Sequence, residues 1–245
     1  ITAPVQNSMG EIFVGFSSGR IYRIDSALRF TLVFSEPSDA PISPGSLAVD
    51  EDDELYFRTA GENGRVYKVS RTGEPRWEAA VGLSNSDSIA INNARDRVYC
   101  SFFSFATAEG YLLALDAGTG SQAGRFTTPA EGAPPMAISA PSIDQDGNVF
   151  VSIAGGLAKL DWNLALLESR RDLSLPGQIP APPLVPVIGN RGNILFPHLR
   201  TNNEGRPFQA VSSLDSNTLS TRWVWTQPAD SPGIVTGQAY SAIND

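Results

Sequence analysis

A repeat of about 45 residues is the feature that most constrains how this chain can fold. Five segments each contain four apolar or aromatic runs in the same order, separated by turn sequences. The third runs end at positions 25, 70, 116, 161 and 215, so that successive ends lie 45, 46, 45 and 54 residues apart. This period is typical of β-propeller blades, because a four-stranded sheet buries both its faces only by stacking on its neighbours. The sequence therefore predicts an all-β propeller of four-stranded antiparallel blades.

The first two runs of each segment predict a β-hairpin. The turn sequences NSMG, EDD, NARD, QDG and NRG separate them. Alternating β-branched and aromatic residues interrupted by Gly, Asn and Asp favour two antiparallel strands joined by a tight turn. The first runs are 1–7, 45–51, 87–93, 139–145 and 184–190, and the second runs are EIFVGF, ELYFRT, RVYCSF, NVFVSI and NILFPH.

The repeats predict a single propeller domain over residues 1–245. Its blades are 1–40, 41–82, 83–132, 133–180 and 181–230, followed by a partial repeat at 231–245. The last five residues, SAIND, align with IAINN at 89–93, so we expect them to form the first strand of a sixth blade. We therefore expect the chain to be part of a larger propeller, and the start at Ile1 rather than Met to mark a processed or trimmed product.

Composition excludes several classes of function. A net charge of -8 and a pI of about 4.7 argue against nucleic acid or an anionic membrane as partner, since both bind basic surfaces. The sequence has no apolar run long enough to predict a transmembrane helix. Cys100 is the only cysteine, which excludes an internal disulfide and a cysteine-based zinc cluster. Its strand-like context, RVYCSFF, predicts a small buried apolar residue rather than a nucleophile.

The third and fourth runs carry a resemblance to a known family. GYLLALDAGTGSQAGRF (110–126) closely resembles the repeat of the pyrroloquinoline-quinone-like, or quinoprotein-type, β-propeller superfamily, and 19–30 and 64–77 are similar. The family pattern runs Gly, aliphatic or Tyr, Ala-Leu-Asp, Thr-Gly and then Trp. The chain departs from it at Ser70, which replaces the Asp, and at Phe126, which lies near the place of the Trp. The resemblance implies that one set of residues docks each blade on the next: Asp25, Asp116, Asp161, Asp215, Trp77 and Trp223.

The resemblance leaves the activity open, because a fold does not determine function. The superfamily includes quinone-dependent alcohol and sugar dehydrogenases as well as non-enzymatic propellers. The dehydrogenases typically use calcium, a catalytic Asp and often an adjacent cysteine pair, and this sequence has neither that pair nor a matching set of ligands. We expect a non-catalytic member without a cofactor, outside the cytoplasm as the resemblance implies. The alternative is a quinone- and calcium-dependent dehydrogenase, or another propeller enzyme, with catalytic residues partly outside this chain.

One face of the propeller is predicted to carry the long connections. These are the second-to-third loops 101–110 and 197–207 and the proline-rich blade connections 36–45, 127–139, 174–183 and 226–233. Long, semi-rigid loops favour recognition because less ordering opposes binding. We expect this face to bind a protein partner, so that the chain is a binding or assembly scaffold. The candidate residues are Phe103, Phe105, His198, Arg200 and Arg206.

Simpler interpretations remain beside these candidates. The aromatic residues of loop 101–110 would equally cap the core of blade three, and the lone His198 would be an ordinary surface residue. Trp162, at a turn after a third run, makes a glycan-binding propeller a second alternative. The acidic stretches 50–53 and 144–147 lack the ligand spacing of a calcium loop, so we expect tight turns there.

Overall fold

The computed structural model describes residues 1–43, 45–61, 63–82, 88–92, 94, 96–104, 109–127, 138–153, 156–173, 185–189, 192–201 and 207–226. Within these residues, twenty strands form five four-stranded sheets, which we number as blades one to five. Blade one contains β1 (Val5–Gln6), β2 (Ile12–Gly15), β3 (Arg20–Ile24) and β4 (Phe30–Ser35). Blade two contains β5 (Ala48–Val49), β6 (Leu55–Arg58), β7 (Arg65–Val69) and β8 (Pro75–Ala80).

The other three blades repeat this order. Blade three contains β9 (Ile89–Asn92), β10 (Arg97–Ser104), β11 (Glu109–Asp116) and β12 (Gln122–Thr127). Blade four contains β13 (Ser142–Ile143), β14 (Val149–Ile153), β15 (Gly156–Leu160) and β16 (Leu166–Arg170). Blade five contains β17 (Val187–Gly189), β18 (Asn193–Thr201), β19 (Pro207–Asp215) and β20 (Thr221–Thr226).

The topology confirms the predicted fold. Every sheet is antiparallel with its strands in sequence order, and the first strands β1, β5, β9, β13 and β17 follow one another side by side. The predicted strand of a sixth blade, within 231–245, lies outside the described residues. In the part of the chain that the structure describes, no helix is long and apolar enough to cross a membrane.

Short polar turns connect the first two strands of blades one, two and four. Asn7 Oδ1 accepts the N–H groups of the residues two and four positions further on, at 3.1 and 2.9 Å. Asp50 and Asp144 do the same with their Oδ1 atoms at 2.8–3.0 Å. A side chain that binds its own backbone stabilises a tight turn. The two acidic stretches are thus turns, as the sequence predicts.

The apolar core lies between the blades rather than within them. Successive side chains of a strand point to opposite faces of its sheet, so one strand serves two interfaces. In β6, Phe57 packs with Phe13 and Ile21 of blade one, whereas Tyr56 packs with Val98 of blade three. Similar buried clusters join blade three to blade four and blade four to blade five. Each blade is therefore stable only against its neighbours.

Two predicted loops are partly strands. In blade three, Phe103 pairs with Gly110 and Ser104 with Glu109, so the hairpin continues into the stretch predicted as loop 101–110. In blade five, the pairing continues to Thr201 and Pro207, although the loop was predicted over 197–207. The predicted second run NILFPH ended at His198, and the predicted loop began at Pro197. The proline is tolerated there because β17 pairs with β18 only as far as Leu195, so the missing N–H breaks no bond to β17.

Candidate functional site

The aspartates that end the third strands close turns within their own blades. Asp116 Oδ1 accepts the N–H groups of Gly118 and Thr119 at 3.1 and 2.9 Å, and Oδ2 lies 3.3 Å from Arg97 Nη1. Asp25, Asp161 and Asp215 bind their turns in the same way, as does Ser70 through its hydroxyl. These side chains set the shape of the surface that each blade presents to the blade before it.

Hydrogen bonds keep three of these carboxylates ionised. The Arg222 guanidinium, followed by backbone N–H groups of the turn, holds the pKa of Asp215 well below its ordinary value. The Arg29 side chain lowers the pKa of Asp25, and the Thr119 hydroxyl lowers that of Asp116. Bonds to the charged form favour that form. These carboxylates therefore act as fixed acceptors, which suits a structural role in the turn.

Trp77 joins blade two to blade three. Its Nε1 donates a hydrogen bond of 2.9 Å to the carbonyl oxygen of Ala117, in the turn after β11. Its ring lies so close to Gly120 that a Cβ on that glycine would come within 2.6 Å of Cε3. Trp223 occupies the same place in the outer strand of blade five, where it is 50% exposed. The two tryptophans thus share a position and differ in their surroundings.

His198, which the sequence placed on a surface loop, is buried in β18. The residue is 3% exposed, its Nε2 lies 2.8 Å from Ser212 Oγ, and its ring stacks on Phe196 at 5.7 Å between ring centroids. The loop placement was wrong because the strand continues past Pro197. The ring therefore lies inside the sheet packing rather than on a loop surface.

The other four candidate residues are described only in part. Phe103 and Arg200 lie in β10 and β18, but their side chains lie outside the described residues. Phe105 and Arg206 lie outside them altogether. A binding role for these four residues stays a prediction.

A groove of about 870 Å³ lies on the predicted loop-rich face, at blades one and two. Its walls are the connection after β4 and the connection between β6 and β7, and its floor includes part of β8. The lining combines charged and small residues, with Arg65 and Glu78 among the former and Ala40, Ala80 and Gly61 among the latter. The candidate residues chosen from the sequence lie on blades three and five, so this groove was missed.

Glu36 is the most constrained charged group of the groove. It is 5% exposed, and its Oε2 accepts bonds of 2.7–2.8 Å from the Ser38 N–H, the Ser38 hydroxyl and the Ala40 N–H. Its Oε1 accepts a bond of 3.0 Å from the Tyr67 hydroxyl of the next blade. Burial opposes ionisation, but these bonds outweigh it and hold the pKa of Glu36 below its ordinary value. Burial and the bond to Glu36 raise the pKa of Tyr67. The connection is thereby fixed as a wall of the groove.

An ion pair marks the outer side of the groove. Arg65 Nη1 lies 2.5 Å from Glu78 Oε1, and both side chains are exposed. An exposed pair contributes little to stability, typically about 0–1 kcal/mol. Its effect here is to place one cation and one anion side by side at the edge of the groove.

Arg58 and Cys100 are buried together between blades two and three. The Arg58 guanidinium carbon lies 4.5 Å from the centre of the Phe102 ring, and Nη2 donates to the Gly82 carbonyl at 3.3 Å. Burial raises the pKa of the Cys100 thiol to about 12. A thiol that stays protonated at neutral pH is a poor nucleophile. Both residues therefore belong to the packing between blades.

The last features to consider are Trp162 and the side chains that could bind a metal ion. Arg97 lies over the Trp162 ring at 5.0 Å, so a cation already covers one face of that indole. Among the described residues, no group of three or more His, Cys, Asp and Glu side chains is arranged to hold a metal ion. Within the described part of the loop-rich face, the groove at blades one and two is therefore the candidate binding site.

Comparison with known proteins identifies the fold. No model of a known protein family and no curated protein matches the chain. Among solved structures, BamB from Moraxella catarrhalis is 14% identical, over 91% of this chain and 75% of its own, with a TM-score of 0.58. The WD40 propeller domain of Doa1 is 12% identical, over 89% and 65%, with a TM-score of 0.56. The chain is a β-propeller.

A quinoprotein is also among the structures that this propeller resembles. The quinohemoprotein alcohol dehydrogenase from Comamonas testosteroni is 12% identical, with a TM-score of 0.60, over 92% of this propeller. The match spans only 42% of the dehydrogenase. The expected likeness to quinoprotein-type propellers is thus confirmed at the level of the fold, which WD40 propellers share.

Proposed function

We propose that this propeller is a non-catalytic scaffold that binds protein partners through its loop-rich face, with the groove at blades one and two as a contact. The groove is the observation that carries the proposal. It is large enough for several side chains of a partner, and it lies on the face predicted to carry the long connections. The resemblance to quinoprotein-type repeats favours a location outside the cytoplasm, which fractionation of the source cells would test.

Preorganisation supports binding at this groove. Four hydrogen bonds fix Glu36 before any partner arrives, so the connection at 36–40 loses little further freedom on binding. Ordering a flexible loop would otherwise cost about 0.5–1.5 kcal/mol for each immobilised side chain. Because the Glu36–Tyr67 bond joins two blades, it keeps this wall of the groove rigid, and a rigid wall favours binding of a partner.

The chemistry of the lining favours a protein segment over a small apolar ligand. Small side chains such as Ala40 and Ala80 leave room for a backbone, and the Arg65–Glu78 pair offers both signs of charge. β8 is the outer strand of blade two, and outer strands present backbone groups that an extended segment can pair with. BamB and the Doa1 domain share this fold with the chain at only 14% and 12% identity. One fold can host many functions, so this likeness is compatible with a scaffold but does not specify its partner.

Two alanine-to-arginine variants test the proposal. Ala80 is exposed in the groove, and Ala165 is exposed in a turn of blade four that does not line the groove. Affinity purification from the source extract, with quantitative mass spectrometry, would compare Ala80→Arg, Ala165→Arg and the wild type. We expect a stoichiometric partner with the wild type and Ala165→Arg and its loss with Ala80→Arg. Retention of the partner by Ala80→Arg would refute the role of the groove.

The alternative of a quinone-dependent dehydrogenase rests on the structural likeness to the Comamonas testosteroni enzyme. Under this hypothesis the protein would bind added pyrroloquinoline quinone in the presence of calcium and oxidise alcohols or sugars with a dye as acceptor. Absence of quinone binding, measured by absorbance in equilibrium dialysis, would eliminate that alternative. A glycan-binding role would instead require that Trp162→Ala abolish binding to a glycan array.

A further inference from the structure

Glu36 brings a negative charge into the groove at blades one and two. It is 5% exposed, and its oxygens accept bonds from two backbone N–H groups and two hydroxyls, all of them neutral donors. Burial opposes ionisation, but these bonds outweigh it and hold the pKa of Glu36 below its ordinary value. Among the residues that the structure describes, no Arg or Lys forms an ion pair with this carboxylate. Neutral hydrogen bonds, rather than a counter-ion, therefore stabilise the charge.

Arg65 also lines the groove, but it is paired with a different carboxylate. Its Nη1 lies 2.5 Å from Glu78 Oε1. The described lining thus contains two carboxylates and one guanidinium, which gives this surface a net negative charge. Complementary charges across an interface favour the correct partner. A partner that brings a cation to the groove would balance the charge that Arg65 leaves on Glu36.

Glu36 Oε1 can accept one further hydrogen bond. Oε2 accepts three bonds of 2.7–2.8 Å, whereas the described bond to Oε1 comes from the Tyr67 hydroxyl at 3.0 Å. A carboxylate oxygen carries two lone pairs, so Oε1 has a second acceptor site. Lysine and arginine donate charge-assisted hydrogen bonds to carboxylates, and such bonds are stronger than those between neutral groups. The geometry thus offers one strong bond to a cationic donor.

A single acceptor site suits an N–H donor better than a metal ion. Ca²⁺ binds about six to eight oxygen ligands and Mg²⁺ about six. Glu36 supplies one open site, and Glu78 is already paired with Arg65. In the part of the chain that the structure describes, no group of three or more His, Cys, Asp and Glu side chains could hold a metal ion. A protonated side chain is therefore the favoured cation.

The groove has room for the long aliphatic part of such a side chain. Its volume is about 870 Å³, and a Cβ added to Gly61 or Gly82 would meet nothing within 4 Å. Pro37 and Ala40 add apolar atoms to the wall that contains Glu36. Lysine and arginine lay their methylene groups along apolar surface while their charged ends stay in polar surroundings. The groove matches both parts of these side chains.

We propose that the groove binds a lysine or arginine side chain of the partner protein, whose cation donates a hydrogen bond to Glu36 Oε1. This inference rests on the proposed function, which assigns a protein partner to the groove. The methylene groups of the side chain lie along the connection at 36–40, and its charge compensates that of Glu36. The groove therefore selects basic segments, which the net charge of -8 on the chain also attracts.

Peptide selection on the whole chain tests this inference. A phage library of random peptides is panned on the immobilised wild type, and peptides that lose binding to Ala80→Arg are kept as groove ligands. We expect these peptides to share an arginine or a lysine. Each is then synthesised with that residue and with its neutral counterpart, citrulline for arginine or acetyllysine for lysine. Fluorescence anisotropy measures the Kd of both peptides for the wild type, Glu36→Gln and the control Glu74→Gln, whose side chain is exposed outside the groove.

The wild type and Glu74→Gln should bind the charged peptide about tenfold or more tightly than the neutral one, as expected for one hydrogen bond to a charged group. Glu36→Gln should bind the two peptides alike, because the carboxylate and the peptide cation form a coupled pair. Thermal unfolding checks that Glu36→Gln is folded. Equal affinity of the wild type for the two peptides would overturn the inference even if that variant did not fold.

Four further results would overturn it. Groove peptides without a common basic residue would show that the groove binds another kind of protein segment, and the proposed function would stand. An undiminished preference of Glu36→Gln for the charged peptide would place the cation at a different group. A rise in the Tm of the wild type with calcium chloride that Glu36→Gln abolishes would identify a metal ion as the occupant. Failure to select any peptide that is sensitive to Ala80→Arg would overturn this inference together with the proposed function.

Discussion

Gly73→Ala should reveal how tightly blades one and two are joined. Gly73 has φ 91°, and a Cβ there would come within 1.7 Å of the Val33 carbonyl oxygen, which is backbone and cannot rotate away. Gly82→Ala is the matched control, because Gly82 has φ 82° and nothing lies within 4 Å of its would-be Cβ. The left-handed conformation alone costs a non-glycine residue about 1–2 kcal/mol. Overpacking adds about 1–3 kcal/mol, so Gly73→Ala should cost about 2–5 kcal/mol in total.

Thermal unfolding followed by circular dichroism measures this difference. For a domain of this size, 1 kcal/mol lowers the Tm by about 2–4 °C, so Gly82→Ala should lower it by roughly 2–8 °C. Gly73→Ala should lower the Tm by at least about 2–4 °C more than the control. Equal shifts for the two variants would show that the blades separate freely at this junction. That result would refute the argument that the outer strand of blade one packs on this turn only because residue 73 is glycine.

Three further predictions concern single groups. Trp77→Phe should destabilise the protein by about 0.5–1.5 kcal/mol in urea unfolding, because the bond to the Ala117 carbonyl is lost while an aromatic ring remains. The lowered pKa of Asp116 predicts that its stabilising effect is present above the ordinary value of 3.8 and is lost as the pH falls through the folded-state value. Asp116→Asn should therefore make the Tm less dependent on pH in that acidic range, and an unchanged profile would contradict this. Cys100, buried with a pKa of about 12, should resist iodoacetamide at pH 8 until the protein unfolds, so rapid labelling of the native protein would contradict its burial.

The repeat allowed the sequence to predict the blades closely. The fourth run EPRWEAAV contains β8 and STRWVWTQ contains β20, which begin five and six residues after the turn-closing residues Ser70 and Asp215. A second repeated feature, a hydroxyl residue at the start of a first run, was not used in the prediction. Hydroxyl side chains of Thr2, Ser46 and Ser139, at the start of three first runs, accept an N–H from the second strand of the same blade at 2.8–3.2 Å. Pro197, at the corresponding place in blade five, has no N–H to donate.

The strand ends and the groove were harder to predict for different physical reasons. Polar residues and Pro197 resemble a loop in sequence, but a hairpin continues for as long as its two arms can pair, and β19 pairs with β18 as far as Thr201 and with β20 on its other side. Tertiary context thus outweighs local composition. The groove depends on Glu36 meeting Tyr67, which lies 31 residues away and on another blade. No local pattern within the connection at 36–45 indicates that contact.

The Glu36–Tyr67 contact differs from the features that recur in every blade. Features that recur in every blade, such as the turn-closing Asp or Ser, are explained by the need to fold and stack identical units. The Tyr67 position holds Tyr22, Leu113, Ala158 and Ser212 in the other blades, and each lies three residues before its turn-closing Asp. A carboxylate buried to 5% exposure is costly unless it is fully bonded, so the repeat alone gives no reason to place one there. Glu36 departs from the repeat, because it buries a charge and shapes the groove in a way that blade packing does not require. For this reason Glu36, rather than the repeated aspartates, is the residue to test for a binding role.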